Sequence, residues 1–288
     1  MSRVKDLIAL LQVEQLELNL FRGVSGDIGS PNVFGGQVLG QALAAASRTV
    51  VGRRAHSLHA YFLRAGDKTA PIVYDVDRIR DGKSFTTRRV VAIQHGRPIF
   101  NMSASFQVAE AGDEHQDEMP QVPQPEELEN EVKVREQWLK NAPEGVSLAF
   151  LRKRPLELRE VSPMNPFSPE PAPPRFLCWV RATEPLPQDV VLQQSMLAYA
   201  SDFSLLQSAM LPHAMTFAQR DLQIASLDHS MWFHREFSLD DWLLYSTDSP
   251  SATGSRGLCR GQFFTRDGRL VASTAQEGLI RRVSPRTR

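Results

Sequence analysis

Tyr61-Phe62-Leu63-Arg64 and Trp232-Phe233-His234-Arg235 are one pattern written twice, 171 positions apart. The same offset sets Tyr74 over Tyr245 and Asp77 over Asp248. An offset of 172 pairs Arg88 with Arg260 and Gly96-Arg97 with Gly268-Arg269. Upstream, Leu16-Glu17-Leu18 returns as Leu156-Glu157-Leu158 after 140 residues. The anchors keep their order, and only the spacer ahead of the shared core changes. Two halves of one plan imply two copies of one supersecondary unit packed as a pseudo-dimer.

The first copy runs from about residue 16 to 107. It opens with a strand at 16–21 and a loop carrying Gly23, Gly26, Gly29 and Pro31. Phe34-Gly35-Gly36-Gln37 then leads into an Ala/Leu-rich helix at 38–46, where the paired glycines allow a sharp turn and a close backbone approach. Strand patterns follow at 58–63, 72–79, 85–94 and 99–107, separated by turn signals such as Asp81-Gly82 and His95-Gly96. The second copy predicts strands at 176–181, 223–232, 242–247, 257–264 and 270–279, and a helix at 192–210. A proline-rich insert at 162–174 lengthens its spacer. Between the copies lies an acidic, proline-containing connector that becomes helix-like at 126–140. The division is therefore an N-terminal unit at 1–109, a connector at 110–153 and a C-terminal unit at 154–288. One helix wrapped by a curved antiparallel sheet, made twice, is an α+β fold with the plan of a double hotdog.

The copies differ in polarity at particular places. Ser226 falls opposite Ala55, and Gln276 falls opposite Ala104. Asp202 interrupts an apolar, helix-like run, whereas residues 36–46 of the first copy contain no acid. Buried polar groups cost stability unless satisfied. Polar groups kept in only one half are candidates for chemistry; the plainer alternative is drift between duplicated halves.

Composition narrows the function classes. The 42 % apolar content supports a packed core. Lys+Arg and Asp+Glu are both 33, so nothing points to a nucleic-acid partner. No stretch reaches the ~20 apolar residues of a membrane helix, so membrane insertion is not expected. Residues 4–11 read as a short amphipathic helix rather than a signal peptide. Residues 284–288 read as a basic tail without a peroxisomal Ser-Lys-Leu ending. Cys178 and Cys259 form neither a metal pattern nor a disulfide framework, which suits a reducing cytoplasm.

Several longer motifs then resemble one family. Val33-Phe-Gly-Gly-Gln-Val-Leu-Gly-Gln-Ala42, His56-Ser-Leu-His-Ala-Tyr-Phe-Leu-Arg64 and Tyr74-Asp-Val-Asp-Arg-Ile-Arg-Asp-Gly82 are similar to the first half of the acyl-CoA thioesterase II family. Tyr199-Ala-Ser-Asp202, Leu227-Asp-His-Ser-Met-Trp-Phe-His234 and Ser273-Thr-Ala-Gln-Glu-Gly278 resemble its second half. The resemblance spans nearly the whole chain outside the connector and the insert. It implies hydrolysis of medium- to long-chain acyl-CoA to free acid and coenzyme A, with no metal, cofactor or covalent intermediate. It implies that Asp202 acts with Ser226 and Gln276, the same three positions the repeat comparison picks out. Many family members carry Thr where this chain has Ser226; serine is less restricted at its first side-chain torsion, which implies a modest rate cost.

By local sequence alone, Ser226 reads equally as a serine bonding a neighbouring carbonyl, and Gln276 as a cross-strand pair. Asp202 shares a helical face with Tyr199, Leu205 and Leu206, where desolvation would raise its pKa. His56 and Gly36 are expected as substrate-binding contributors, while His229 reads as structural. Arg80, Lys83, Arg88 and Arg89 either meet coenzyme A phosphates or form a solvated strand face. No Gly-x-Ser-x-Gly elbow is present, and neither cysteine has a partner that would lower its pKa. A hotdog hydratase or dehydratase and a non-catalytic acyl-CoA-binding module are the alternatives. Fold analogy suggests a homodimer or homotetramer.

Overall fold

Strand β5 (Phe85–Gln94) buries every second side chain, from Thr86 through Arg88, Val90 and Ala92 to Gln94. Such alternation commits one face of a strand to a core. The computed structural model describes residues 3–140, 142, 151 and 154–283. Its first six strands are β1 (Glu14–Glu17), β2 (Leu20–Gly23), β3 (Arg54–Phe62), β4 (Ile72–Asp81), β5 and β6 (Arg97–Gln107). The rest are β7 (Leu156–Glu160), β8 (Arg175–Ala182), β9 (Leu222–Ser226), β10 (Asp228–Phe233), β11 (Leu243–Thr253), β12 (Arg256–Thr265) and β13 (Leu270–Arg282).

All belong to one antiparallel sheet of order β1-β2-β4-β5-β6-β3-β10-β13-β12-β11-β8-β7, with β9 paired to β13. The second six strands of that order repeat the first six in reverse, so the sheet has a local two-fold axis between β3 and β10. His59 there faces Ser230, its own counterpart 171 positions on, and their side chains lie 3.0 Å apart. The double hotdog expected from the repeat is the architecture observed.

Helices α1 (Val4–Leu11), α2 (Gly35–Ser47) and α4 (Val190–Ser201) pack together against the core. Leu7, Leu10 and Leu11 bury the apolar face of α1. Asp189 caps α4 by accepting from the N–H groups of Val191 and Leu192. The two long helices run antiparallel and touch at glycines. A Cβ on Gly36 would lie 2.4 Å from the Tyr199 carbonyl oxygen, and one on Gly40 would lie 2.8 Å from that of Ser195. No side chain fits between the backbones at these two points.

The connector covers the opposite face of the second half. Met119, Val122 and Leu128 pack on Trp179, Trp242, Leu244, Phe264 and Leu270. Trp179 Nε1 donates to the Pro123 carbonyl at 3.0 Å. α3 (Glu131–Leu139) follows, capped by Asn130.

Several expected elements are interrupted. The strand expected at 16–21 is a hairpin, because Leu18 and Asn19 turn the chain between β1 and β2. The helix expected at 126–140 is a 3₁₀ turn at Pro125–Glu127 followed by α3. The helix expected at 192–210 stops at Ser201 and resumes as α5 (Gln207–Met210). Asp202 and Ser204 weaken it there, since short polar side chains compete for backbone hydrogen bonds. The strand expected at 223–232 divides at Leu227, whose N–H donates to Glu277 and whose carbonyl accepts from Phe62. The Arg88–Arg260 pairing also shifts by one. Asp248 faces Arg260 and Asp77 faces Arg89, so Arg89 is the counterpart. The extra residue that changes the offset lies in the β12–β13 hairpin. Residues 141, 143–150, 152, 153 and the expected basic tail at 284–288 lie outside the described residues.

Overpacking a tight contact typically costs about 1–3 kcal/mol. Gly36→Ala is therefore expected to lower stability by that amount in a denaturant titration. Gly112→Ala, where a Cβ meets nothing within 4 Å, is expected to leave it unchanged.

Candidate active site

Antiparallel contact between α2 and α4 brings the start of one helix to the end of the other. The first N–H groups of a helix lack intrahelical partners, and they carry the positive end of its dipole. Asp202, the residue that ends α4, offers its carboxylate to them and takes a hydrogen bond from the Gly36 N–H. Gly35 must also lack a side chain, since a Cβ there would lie 2.7 Å from Asp202 Oδ2. The paired glycines thus serve the close approach expected of them, and Gly36 meets Asp202 through its backbone.

Two strands complete the cluster. Ser226 ends β9 and donates to Asp202 Oδ1 at 3.2 Å. Gln276 of β13 donates from Nε2 to Ser226 Oγ at 2.7 Å. The structure therefore brings Asp202, Ser226 and Gln276 together from three separate elements. His229 of β10 adds a contact that sequence reading treated as merely structural. Its Nδ1 lies 2.6 Å from Gln276 Oε1, and its Nε2 lies 2.9 Å from Ser201 Oγ. Because Gln276 Oε1 can only accept, Nδ1 carries the proton. Every donor in the chain His229–Gln276–Ser226 then points toward Asp202.

Burial pushes the Asp202 carboxyl up to about 6, partly opposed by hydrogen bonds from Ser226, Gln276 and Gly36. Burial lowers His229 to about 4, so its ring is neutral near pH 7. Asp202 and Ser226 open onto a cleft of about 630 Å³. Its wall is largely apolar, with Val33, Phe34, Phe62, Phe203, Leu206 and Ile224 among the lining side chains. Leu206 reaches the cleft from the turn after α4, not from the same helical face as Asp202.

The duplication produces a second cleft of about 430 Å³ at the related position. Phe233, His234 and Arg235 line it where Phe62, Leu63 and Arg64 line the first, and Arg54, Ala55 and His56 replace Ala225, Ser226 and Leu227. His56 belongs to this second cleft, where its Nε2 lies 2.8 Å from Ser105 Oγ. The structure does not bring it to Asp202, because the strand position that places His56 beside Ser105 is the counterpart of Leu227.

The other candidates are also placed. Arg88 is 1 % exposed and contacts Thr49, the Arg80 and Thr87 carbonyls, and Asp81. Arg89 pairs on the surface with Asp77. Cys178 and Cys259 are buried, which raises both thiols above their usual range. Among the described residues, no cluster of three or more His, Cys, Asp or Glu could hold a metal ion. No helix among them is long and apolar enough to cross a membrane.

Residues 146–279 match a family model described as acyl-CoA thioesterase, and residues 23–107 match one described as the acyl-CoA thioesterase N-terminal domain. The protein is thus of the double-hotdog thioesterase class. It is 43 % identical over 279 residues to acyl-CoA thioesterase 2 of Haemophilus influenzae, covering 96 % of this chain and 98 % of that one. The crystal structure of an acyl-CoA thioesterase II, TesB2, from Mycobacterium marinum superposes with a TM-score of 0.78 at 44 % identity, covering 96 % and 98 % of the two chains. A hot dog protein of Alicyclobacillus acidocaldarius shares the fold with a TM-score of 0.76 at 17 % identity, covering 96 % and 98 %. The chain belongs to the acyl-CoA thioesterase II family and is a thioesterase that hydrolyses acyl-CoA.

Arg88 is committed to internal hydrogen bonds. Arg88→Met leaves several buried acceptors unpaired, at about 1–3 kcal/mol each. It is expected to lower the melting temperature markedly while leaving KM for acyl-CoA within about 2-fold. A selective rise in KM without destabilisation would instead assign Arg88 to coenzyme A.

Proposed function

We propose that this thioesterase hydrolyses medium- to long-chain fatty acyl-CoA with water activated at Asp202 and held by Ser226 and Gln276. The observation that carries the reading is the one-way chain of donors ending on a buried carboxylate at the cleft. A water beside Asp202 loses a proton to the carboxylate as its oxygen attacks the thioester carbonyl. A carboxyl poised near 6 is a competent base at neutral pH. The positive end of the α2 dipole favours the developing oxyanion. The C–S bond then breaks, the proton on Asp202 passes to the departing thiolate, and free acid and coenzyme A leave.

The acyl chain lies along the apolar wall of the cleft. Each added CH₂ contributes up to ~0.8 kcal/mol, roughly a 4-fold gain in binding until the wall is covered. The same reading keeps residues 1–109 and 154–288 as two units joined by 110–153. It assigns the enzyme to the cytoplasm, which suits two unpaired cysteines. A homodimer or homotetramer is the assembly proposed.

Thiol release from acyl-CoA tests the site. Asp202→Asn keeps the shape but cannot accept the proton, so kcat is expected to fall roughly 100-fold or more. An equally active variant would remove Asp202 from the mechanism. The ionised carboxylate is the active form and its pKa is raised. Activity is therefore expected to be lost as pH falls through about 6, with a slope of one proton. A substrate series should show affinity rising with chain length; a flat response from short to long chains would count against an apolar acyl site.

A further inference from the structure

We infer that His229 is a positioning residue for this reaction: its Nδ1–H locks the Gln276 amide in the orientation that donates to Ser226. The inference rests on the catalytic roles proposed above for Gln276 and Ser226.

The geometry of the pair is tight. His229 and Gln276 lie one residue beyond the Ser230–Ala275 pair that ends the β10–β13 ladder, both buried to 1 % exposure or less. Nδ1 to Oε1 is 2.6 Å. An amide has two nearly isosteric ends, so an unrestrained glutamine can present either one. Turned over, Gln276 would show Oε1 to Ser226. The serine proton would then go to the amide instead of Asp202, and the base would lose its hydroxyl partner. The Ser201 hydroxyl lies 2.9 Å from both the Ala198 carbonyl and His229 Nε2. With its one proton turned to the ring, the ring proton stands on Nδ1, and a donor there excludes the flipped amide, because two N–H groups would be opposed. Protonating His229 in acid keeps Nδ1–H in place, so the orientation survives low pH. The ring's hydrogen-bond partners are Gln276 on β13 and Ser201 on α4, and β3 sets Ala60 opposite His229. None of them titrates in the working range, so the acid limb of activity belongs to Asp202.

The other half of the molecule supplies an internal control. At the position related to His229 stands Leu58, and it faces Ala104, the counterpart of Gln276. Both are buried. This sheet position therefore packs with an apolar pair in one copy, and the fold itself has no need of a histidine and a glutamine there. The copy that carries Asp202 and Ser226 differs at both members of the pair together.

Kinetics on five proteins test the assignment: native, His229→Leu, His229→Asn, Gln276→Ala and the double variant His229→Leu/Gln276→Ala. Misplaced catalytic groups cost up to about 100-fold. His229→Leu is expected to lower kcat roughly 10- to 100-fold with KM within about 3-fold. Asparagine can offer an N–H near the place of Nδ1, so His229→Asn is expected to recover most of that loss. In the Gln276→Ala background, adding His229→Leu is expected to cost nothing more, because the histidine acts only through the amide. The double variant rebuilds the Leu58–Ala104 pair and serves as the folding control, its melting temperature near that of the native protein. Slow Gln276→Ala with full-rate His229→Leu would overturn the positioning role and leave the site reading intact. A further loss in the double variant would overturn it too, by giving His229 a role apart from Gln276. Full activity of Gln276→Ala would sink the site reading, and the positioning role with it.

Discussion

The contact on which this molecule turns is the one between α2 and α4. Two helices can bring their backbones this close only where side chains are missing, and Gly36 and Gly40 supply the two gaps. Because the helices run antiparallel, closeness along their length also sets end against end. The Gly36 N–H at the opening of α2 meets the carboxylate that closes α4. A carboxylate at its own helix C-terminus sits on the unfavourable end of that dipole, and the start of a second helix offsets this. The packing geometry of the pseudo-dimer thus decides where a buried acid can be tolerated.

Duplication explains the rest of the arrangement. One sheet runs through both halves, and its two-fold axis between β3 and β10 generates two clefts of common plan. The second half has put serine, glutamine and histidine where the first has alanine, alanine and leucine. Buried polar groups cost stability unless each finds a partner. Here they partner one another in sequence, from Ser201 to His229 to Gln276 to Ser226 to Asp202. A half-built network would be worse than none, and the second cleft has none of these groups at the related positions. Its own histidine, His56, bonds a strand serine instead.

Opposing effects set the electrostatics of Asp202. Burial favours the neutral acid, whereas the hydrogen bonds from Ser226, Gln276 and Gly36 favour the anion. Burial is the larger effect, and the balance leaves the carboxyl near the pH at which a base is useful. His229 shows the opposite outcome. Burial without an anionic partner keeps the ring neutral, so it orients by hydrogen bonding rather than by charge.

Much of this was legible in the order of residues. The repeat of Tyr61-Phe62 as Trp232-Phe233 determined a double fold, and strand-like runs between turn signals such as Asp81-Gly82 and His95-Gly96 determined where strands lie. Comparing the copies singled out Asp202, Ser226 and Gln276, because a polar residue at an apolar position is visible without coordinates. What sequence left open depends on contacts distant along the chain. The end of α4 at Asp202, the burial of Arg88 against Thr49 and the placement of His56 in the other cleft follow from how sheet and helices pack. Local pattern does not encode that packing. His229 is the clearest case: its chemical meaning comes from the amide of Gln276, 47 residues away. Only the register between two strands makes them neighbours.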